Sequence, residues 1–156
     1  LLFTAFLMLM AVVEEYVFRR VLEPELEGRL GWVGTAAASS ALYLLVKVLQ
    51  FDLSPLEATN LILLNLVLSM VARTSGGYMA SASFLATFMA LVHVFFGLPF
   101  MGQDMPGLFL LRAASDEGLG SLLSGGAAGP ESGLVLAVLL VIYLYLPQIR
   151  SKKLEV

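Results

Sequence analysis

The sequence contains no cysteine, which excludes disulfide bonds and thiolate metal sites. It contains one histidine, which cannot by itself supply the three or four ligands of a protein zinc site, so we expect no metal and no cofactor. Charged residues are 13% of the chain, against about 25% in a typical soluble domain. The net charge is −3, and the largest basic group is Arg150, Lys152 and Lys153, so no nucleic-acid partner is expected.

Long apolar runs make up most of the remainder, since 59% of the 156 residues are hydrophobic and the mean hydropathy is +0.90. A bilayer core of ~30 Å needs roughly 20 apolar helical residues per crossing, so the chain can hold about five crossings. The sequence therefore predicts an all-α, polytopic transmembrane helical bundle, a single membrane domain over 1–156 in the cell membrane. The chain does not begin with Met, and its first apolar run is short, so we expect a fragment that lacks N-terminal sequence.

Glycine, proline and charge divide the chain into five predicted membrane helices. The first ends near Glu27 with a kink or a restart expected at Pro24, and Gly28 and Gly31 bracket the following turn. The five helices are predicted over 1–27, 32–50, 56–72, 78–96 and 132–146. The connection 98–131 is rich in glycine and proline, and a loop of this length is either functional or disordered. We expect a loosely ordered external loop, with a lid or an element that admits substrate as the alternative.

The basic residues indicate an orientation in the membrane. One predicted side holds only Arg112, whereas the other side collects seven basic residues: Arg19, Arg20, Arg29, Arg73, Arg150, Lys152 and Lys153. Cytoplasmic loops of membrane proteins carry an excess of Lys and Arg. We therefore expect the Arg-rich turns and the C-terminus to lie in the cytoplasm.

Ionisable residues inside apolar helices are costly to bury, so each is a candidate functional group. Glu15 and Arg19 are four residues apart and should meet on one helix face, whereas Glu14 points about 100° away. If the first two helices form a hairpin that turns near Leu30, Glu14 and Lys47 each lie about 16 residues from the turn, roughly 25 Å along their helices. We therefore expect Glu14 and Lys47 to pair.

Three other polar residues in the apolar helices need an interpretation. Asn60 and Asn65 could supply hydrogen bonds to the charge cluster, although buried asparagine in membrane helices more often joins one helix to another. His93 lies nine residues after Phe84, about half a turn round the helix, so it should face away from the cluster. A structural or interfacial role is expected for His93.

Three stretches resemble the CPBP family, which groups CAAX-processing type II proteases with bacteriocin-processing and immunity proteins. Residues 14–19 (EEYVFR) match the family's EExxxR motif. Residues 39–47 (SSALYLLVK) resemble its Ser-Ser-x-x-Phe-x-x-x-His helix, and residues 73–78 (RTSGGY) resemble the turn before its last catalytic helix. The resemblance covers about 11–90 and implies an all-helical membrane bundle with an active-site cavity that opens within the bilayer.

The resemblance also implies which residues should carry catalysis. In the family the first Glu of the pair activates a water, a His of the second motif assists, and an HxxxN motif on the later helix completes the site and holds the oxyanion. Glu14, Glu15 and Arg19 match the acid pair and its Arg. Substitutions occupy the other positions: Lys47 and Phe84 for the histidines and Phe88 for the asparagine, or Leu85 and Met89 if the turn is aligned one residue differently.

A general base needs a proton partner, and the loss of one oxyanion donor alone costs ~3 kcal/mol or more of transition-state stabilisation. We therefore predict a catalytically degenerate homologue that binds or protects a membrane partner, such as a membrane protein or a lipidated peptide. One alternative is an active glutamate-dependent intramembrane endopeptidase that cleaves membrane-associated or prenylated peptides, with Asn60 and Asn65 as helpers. A second alternative is a transporter or structural membrane subunit whose likeness to the family is coincidental.

Overall fold

The computed structural model of the chain describes residues 2–105, 107–109 and 118–153, with side chains as far as residue 145. Within these residues the regular structure is helical apart from one isolated bridge between Phe100 and Gln103, which confirms the all-α prediction. The helices are α1, Leu2–Glu15; α2, Glu23–Val48; α3, Pro55–Thr74; α4, Tyr78–Met89; α5, Leu119–Ser124; and α6, Leu134–Lys153. Two π-helical turns adjoin them, Tyr16–Leu22 between α1 and α2 and Ala90–Phe95 after α4.

The first hairpin turns at Gly31, as its glycines predicted. Gly31 divides α2 into two helical segments, which are the two arms of this hairpin. Its φ of 67 and ψ of 176 are a backbone conformation that is open to glycine and costly for other residues. The sequence predicts a kink or a restart at Pro24, and the structure has a restart, because α2 begins at Glu23. The irregularity lies before it, in the π-helical turn Tyr16–Leu22, and Pro24 occupies the first turn of α2, where a missing N–H is tolerated.

The second hairpin joins α3 to α4. Ser54 caps α3, since its hydroxyl accepts a hydrogen bond from the Glu57 N–H while the Glu57 carboxylate accepts one from the Ser54 N–H. At the other end, the Gly77 N–H donates to the Ala72 carbonyl at 2.9 Å, and Gly76 has a φ of 76. The predicted turn at 73–78 is therefore confirmed.

Helix α3 is the centre of the bundle. It packs against α2, α4 and α6, while α1 packs against α4. The main apolar cluster forms around Leu64, Val67 and Leu68 of α3, and Ala11 and Leu85 reach it from α1 and α4. This packing places the three sequence motifs around or at the end of α3.

Two helices in the described part of the chain are long and apolar enough to cross a membrane, Pro55–Thr74 and Tyr78–Phe95. The number of crossings, about five, stays a prediction.

Where the structure describes it, the segment 98–131 contains α5 and the 3-10 turn Gly126–Ala128, and a second 3-10 turn, Pro130–Ser132, begins at its end. Glu131 is only 2% exposed. Sequence reasoning missed this because the packing depends on partners far away along the chain. Residues 106 and 110–117, including Arg112, lie outside the described residues, and an external position for the segment stays a prediction.

Candidate functional site

The predicted pair of Glu14 and Lys47 is present. Lys47 Nζ lies 2.7 Å from Glu14 Oε1, and the two side chains are 10% and 17% exposed. The ammonium also lies 5.2 Å from the ring centroid of Tyr43, one turn earlier on α2, where a cation–π contact adds to its stabilisation. The charges of the two motifs therefore neutralise each other at their point of contact.

Arg19 is the centre of a larger polar cluster. Its Nε donates to Glu15 Oε2 at 3.2 Å, as the four-residue spacing predicted, and the Glu15 side chain is fully buried. Its Nη2 donates to Asn65 Oδ1 at 2.8 Å, and its Nη1 donates to Ser69 Oγ at 2.9 Å. Arg19 therefore links the π-helical turn to the middle of α3.

Glu23, Ser39 and Ser69 belong to this cluster, and sequence reasoning missed them. The Glu23 carboxylate accepts hydrogen bonds from Arg19, from Ser69 and, at 3.0 Å, from Ser39. Glu23 follows Arg19 by four residues, a spacing that could have identified it.

The two candidate helper asparagines have different positions. Asn65 joins the cluster, where its Nδ2 donates to Ser40 at 3.0 Å and to Ser39 at 3.3 Å. Asn60 instead donates from Nδ2 to the carbonyls of Glu131, at 2.6 Å, and Gly133, at 3.0 Å. The amide N–H donors of both residues are therefore already engaged.

At the substituted motif positions, α4 presents apolar side chains. Phe84 is 39% exposed, and its ring centroid lies 6.5 Å from that of Tyr143. Leu85 is fully buried in the apolar cluster with Ala11, so the inward position on α4 is Leu85. The partly buried Met89 packs against the same cluster. An apolar contact therefore fills the place where the family resemblance implies a histidine.

His93 is fully buried and bonds to Glu131. Its Nδ1 lies 3.0 Å from the Leu98 carbonyl oxygen, and its Nε2 lies 2.8 Å from Glu131 Oε1. Because a carbonyl oxygen can only accept, Nδ1 must carry a hydrogen. The contact between Nε2 and Oε1 is then a hydrogen bond only while one proton lies between them. This partner, 38 residues away in sequence, was not foreseen.

A cavity of about 760 Å³ opens beside Arg19. Arg19, Glu23 and Ser69 contribute to its wall, which continues along α2 and across the turn between α3 and α4. Neither Glu14 nor Glu15 lines it. In the described part of the chain, no group of three or more His, Asp or Glu side chains is placed to hold a metal ion.

The comparisons with known proteins agree with the motifs. A family model described as Type II CAAX prenyl endopeptidase Rce1-like matches residues 1–91. The matched region contains the acid pair, the helix that carries Lys47 and the turn before α4. No curated protein and no solved structure matches the chain. Because the match covers more than half of the 156 residues and contains all three motifs, the chain belongs to the type II CAAX prenyl endopeptidase Rce1-like family of membrane proteins.

Proposed function

We propose that this family member is catalytically silent and acts by binding or protecting a membrane partner. The observation that carries the proposal is the ion pair between Glu14 and Lys47, at 2.7 Å. Glu14 occupies the position that activates water in the family, and here an ammonium holds its carboxylate. A carboxylate engaged in an ion pair is not free to take a proton from water.

Hydrogen-bond geometry supports the proposal. A tetrahedral oxyanion needs a donor that is free when the charge develops. Asn65 donates to two serine hydroxyls and Asn60 donates to two carbonyls, so neither amide is free. The motif positions on α4 supply apolar side chains, and the cavity beside Arg19 is not lined by the acid pair.

A peptidase assay tests the proposal. The purified chain should cleave membrane-anchored and prenylated peptides no faster than its Glu14→Gln variant. That control is essential, because contaminating proteases are common in membrane preparations. Cleavage by the unaltered chain that disappears in Glu14→Gln would overturn the proposal.

Restoration variants extend the same assay. Residues that act as one catalytic unit have strongly non-additive effects, so Lys47→His alone should recover nothing. A triple variant with Lys47→His, Leu85→His and Met89→Asn should recover at most a trace of activity. A second triple variant, with Lys47→His, Phe84→His and Phe88→Asn, tests the other alignment and is the matched comparison. Activity in the Phe84 and Phe88 version alone would contradict the inward assignment of Leu85.

An active glutamate-dependent endopeptidase is the second candidate function, and one observation favours it. Glu15 is fully buried, and its Oε1 has no hydrogen-bond partner among the residues that the structure describes. A free carboxylate oxygen in such a place could receive a proton. The alternative of a transporter or structural subunit assumed that the likeness to the family was coincidental, and the family match removes that assumption.

A further inference from the structure

The cavity beside Arg19 has a positive wall. Three guanidinium groups line it, those of Arg19, Arg20 and Arg73, against the carboxylates of Glu23 and Glu27. Arg19 pairs with Glu23 and Arg73 pairs with Glu27, whereas Arg20 has no ion-pair partner in the described part of the chain. One cationic group therefore remains for an anion, and about 760 Å³ is within the usual range for a ligand pocket.

A second polar group on the wall also lacks a partner. Thr35 is 2% exposed, and its Oγ1 makes no hydrogen bond with the described residues. A threonine in a helix can donate to the carbonyl four residues earlier. For Thr35 that residue is Gly31, whose non-helical backbone removes the acceptor. The hinge of the hairpin thus leaves a buried hydroxyl on the wall of a cationic cavity, and a buried hydroxyl without a partner is unfavourable.

An apolar groove begins where the cavity ends. It has a volume of about 530 Å³ and runs between α2 and α3, with small residues such as Ala37 and Ala41 on one side and Ile62 and Leu66 on the other. Trp32 lines both the cavity and the groove, and the Arg73 guanidinium lies 5.0 Å from its ring centroid. The two spaces therefore meet at one aromatic side chain.

We propose that the cavity and the groove form one binding site for an anionic glycerophospholipid. Its phosphate lies against Arg20 and accepts a hydrogen bond from Thr35, while one acyl chain follows the groove past Trp32. The charge of the cavity selects an anionic headgroup. The apolar groove alone would accept an acyl chain from any lipid of the bilayer. The orientation predicted from the basic residues places this site in the cytoplasmic leaflet, whose surface is anionic. The proposal does not depend on whether the chain cleaves peptides.

Binding to the purified full chain in a neutral detergent tests the proposal by native mass spectrometry. Phosphatidylglycerol should bind at least tenfold more tightly than phosphatidylcholine of the same chain length. Arg20→Gln should weaken the binding of phosphatidylglycerol several-fold and that of phosphatidylcholine less, because the choline cation already offsets its phosphate charge. Thr35→Val should weaken the binding of both lipids, because both carry the phosphate that accepts the hydrogen bond. Arg29→Gln is the matched control, since Arg29 is an exposed arginine of α2, nine residues after Arg20, that does not line the cavity. Its binding should equal that of the unaltered chain.

The tail is tested separately. Ala41 is exposed in the groove, so Ala41→Leu should fill the groove and weaken the binding of phosphatidylglycerol without unfolding the protein. Inorganic phosphate should displace the lipid only weakly. Equal binding of the two lipids, or an equal loss in Arg29→Gln and Arg20→Gln, would overturn the proposal. So would displacement by phosphate alone, which would reduce the site to an anion pocket, or exclusive binding of a prenylated peptide.

Discussion

At the scale of single residues, the position of Lys47 is the most informative. Its ammonium meets Glu14 because both residues lie about 16 residues from the turn at Gly31, so they reach the same depth along antiparallel helices. This contact could be predicted by counting along the chain. The contacts of Arg19 with Asn65 and Ser69 could not, because they depend on how the π-helical turn rotates Arg19 toward α3.

Removing Lys47 should destabilise the protein. Lys47→Met leaves the Glu14 carboxylate without its partner, which for a buried pair costs ~3–5 kcal/mol unless the acid takes up a proton. Adding Glu14→Gln should restore much of the loss. The measurement is the free energy of unfolding of both single variants and the double variant in one detergent. Additive losses would show that the two side chains are not coupled.

At the scale of elements, the sequence located helices better than it located the faces they bury. The glycines identified the hairpin turn and the turn before α4, because a positive φ has few other residue choices. The burial of Leu85 in place of Phe84 could not be read from one sequence, since one residue shifts a helix face by about 100°. The helices in 98–131 were missed for lack of apolar periodicity.

The Gly31 hinge gives a prediction for this scale. Gly31→Ala should destabilise the hairpin by about 1–3 kcal/mol, because alanine is strained at a φ of 67. Gly28→Ala is the matched control, three residues earlier. A Cβ at either position meets nothing within 4 Å, and only Gly31 has a positive φ. Thermal unfolding of the two variants makes the comparison. Equal stability of the two variants would show that the backbone at position 31 accepts a side chain without strain.

The hydrogen bond between His93 and Glu131 joins the π-helical turn after α4 to the segment before α6. Removing the imidazole in His93→Leu should leave Glu131 buried without its partner and destabilise the protein by ~3–5 kcal/mol. The double variant with Glu131→Gln should recover part of that loss. Limited proteolysis of 118–133 reads out the same contact locally. Unchanged proteolysis in His93→Leu would mean that other contacts hold the segment.

At the scale of the whole molecule, the predicted orientation remains to be measured. Since the chain lacks cysteine, single cysteines can replace Ser75, Ser124 and Ser151. If the Arg-rich turns and the C-terminus are cytoplasmic, an impermeant thiol reagent applied to intact cells should label only the cysteine at 124. Ser75 and Ser124 are both exposed, so access does not bias that comparison. Labelling at 75 or 151 from outside would contradict the orientation.

The hydrogen bonds of Asn60 bear on the order in which the protein is made. The ribosome places Asn60 in the nascent chain 71 residues before Glu131, the first carbonyl its amide will bond. Until then, α3 carries an amide whose partners do not yet exist, and a polar group without a partner is costly in hydrocarbon. Release of α3 from the translocon into lipid should therefore wait for residues 131–133. A nascent chain stalled before Glu131 should therefore remain accessible to insertion factors.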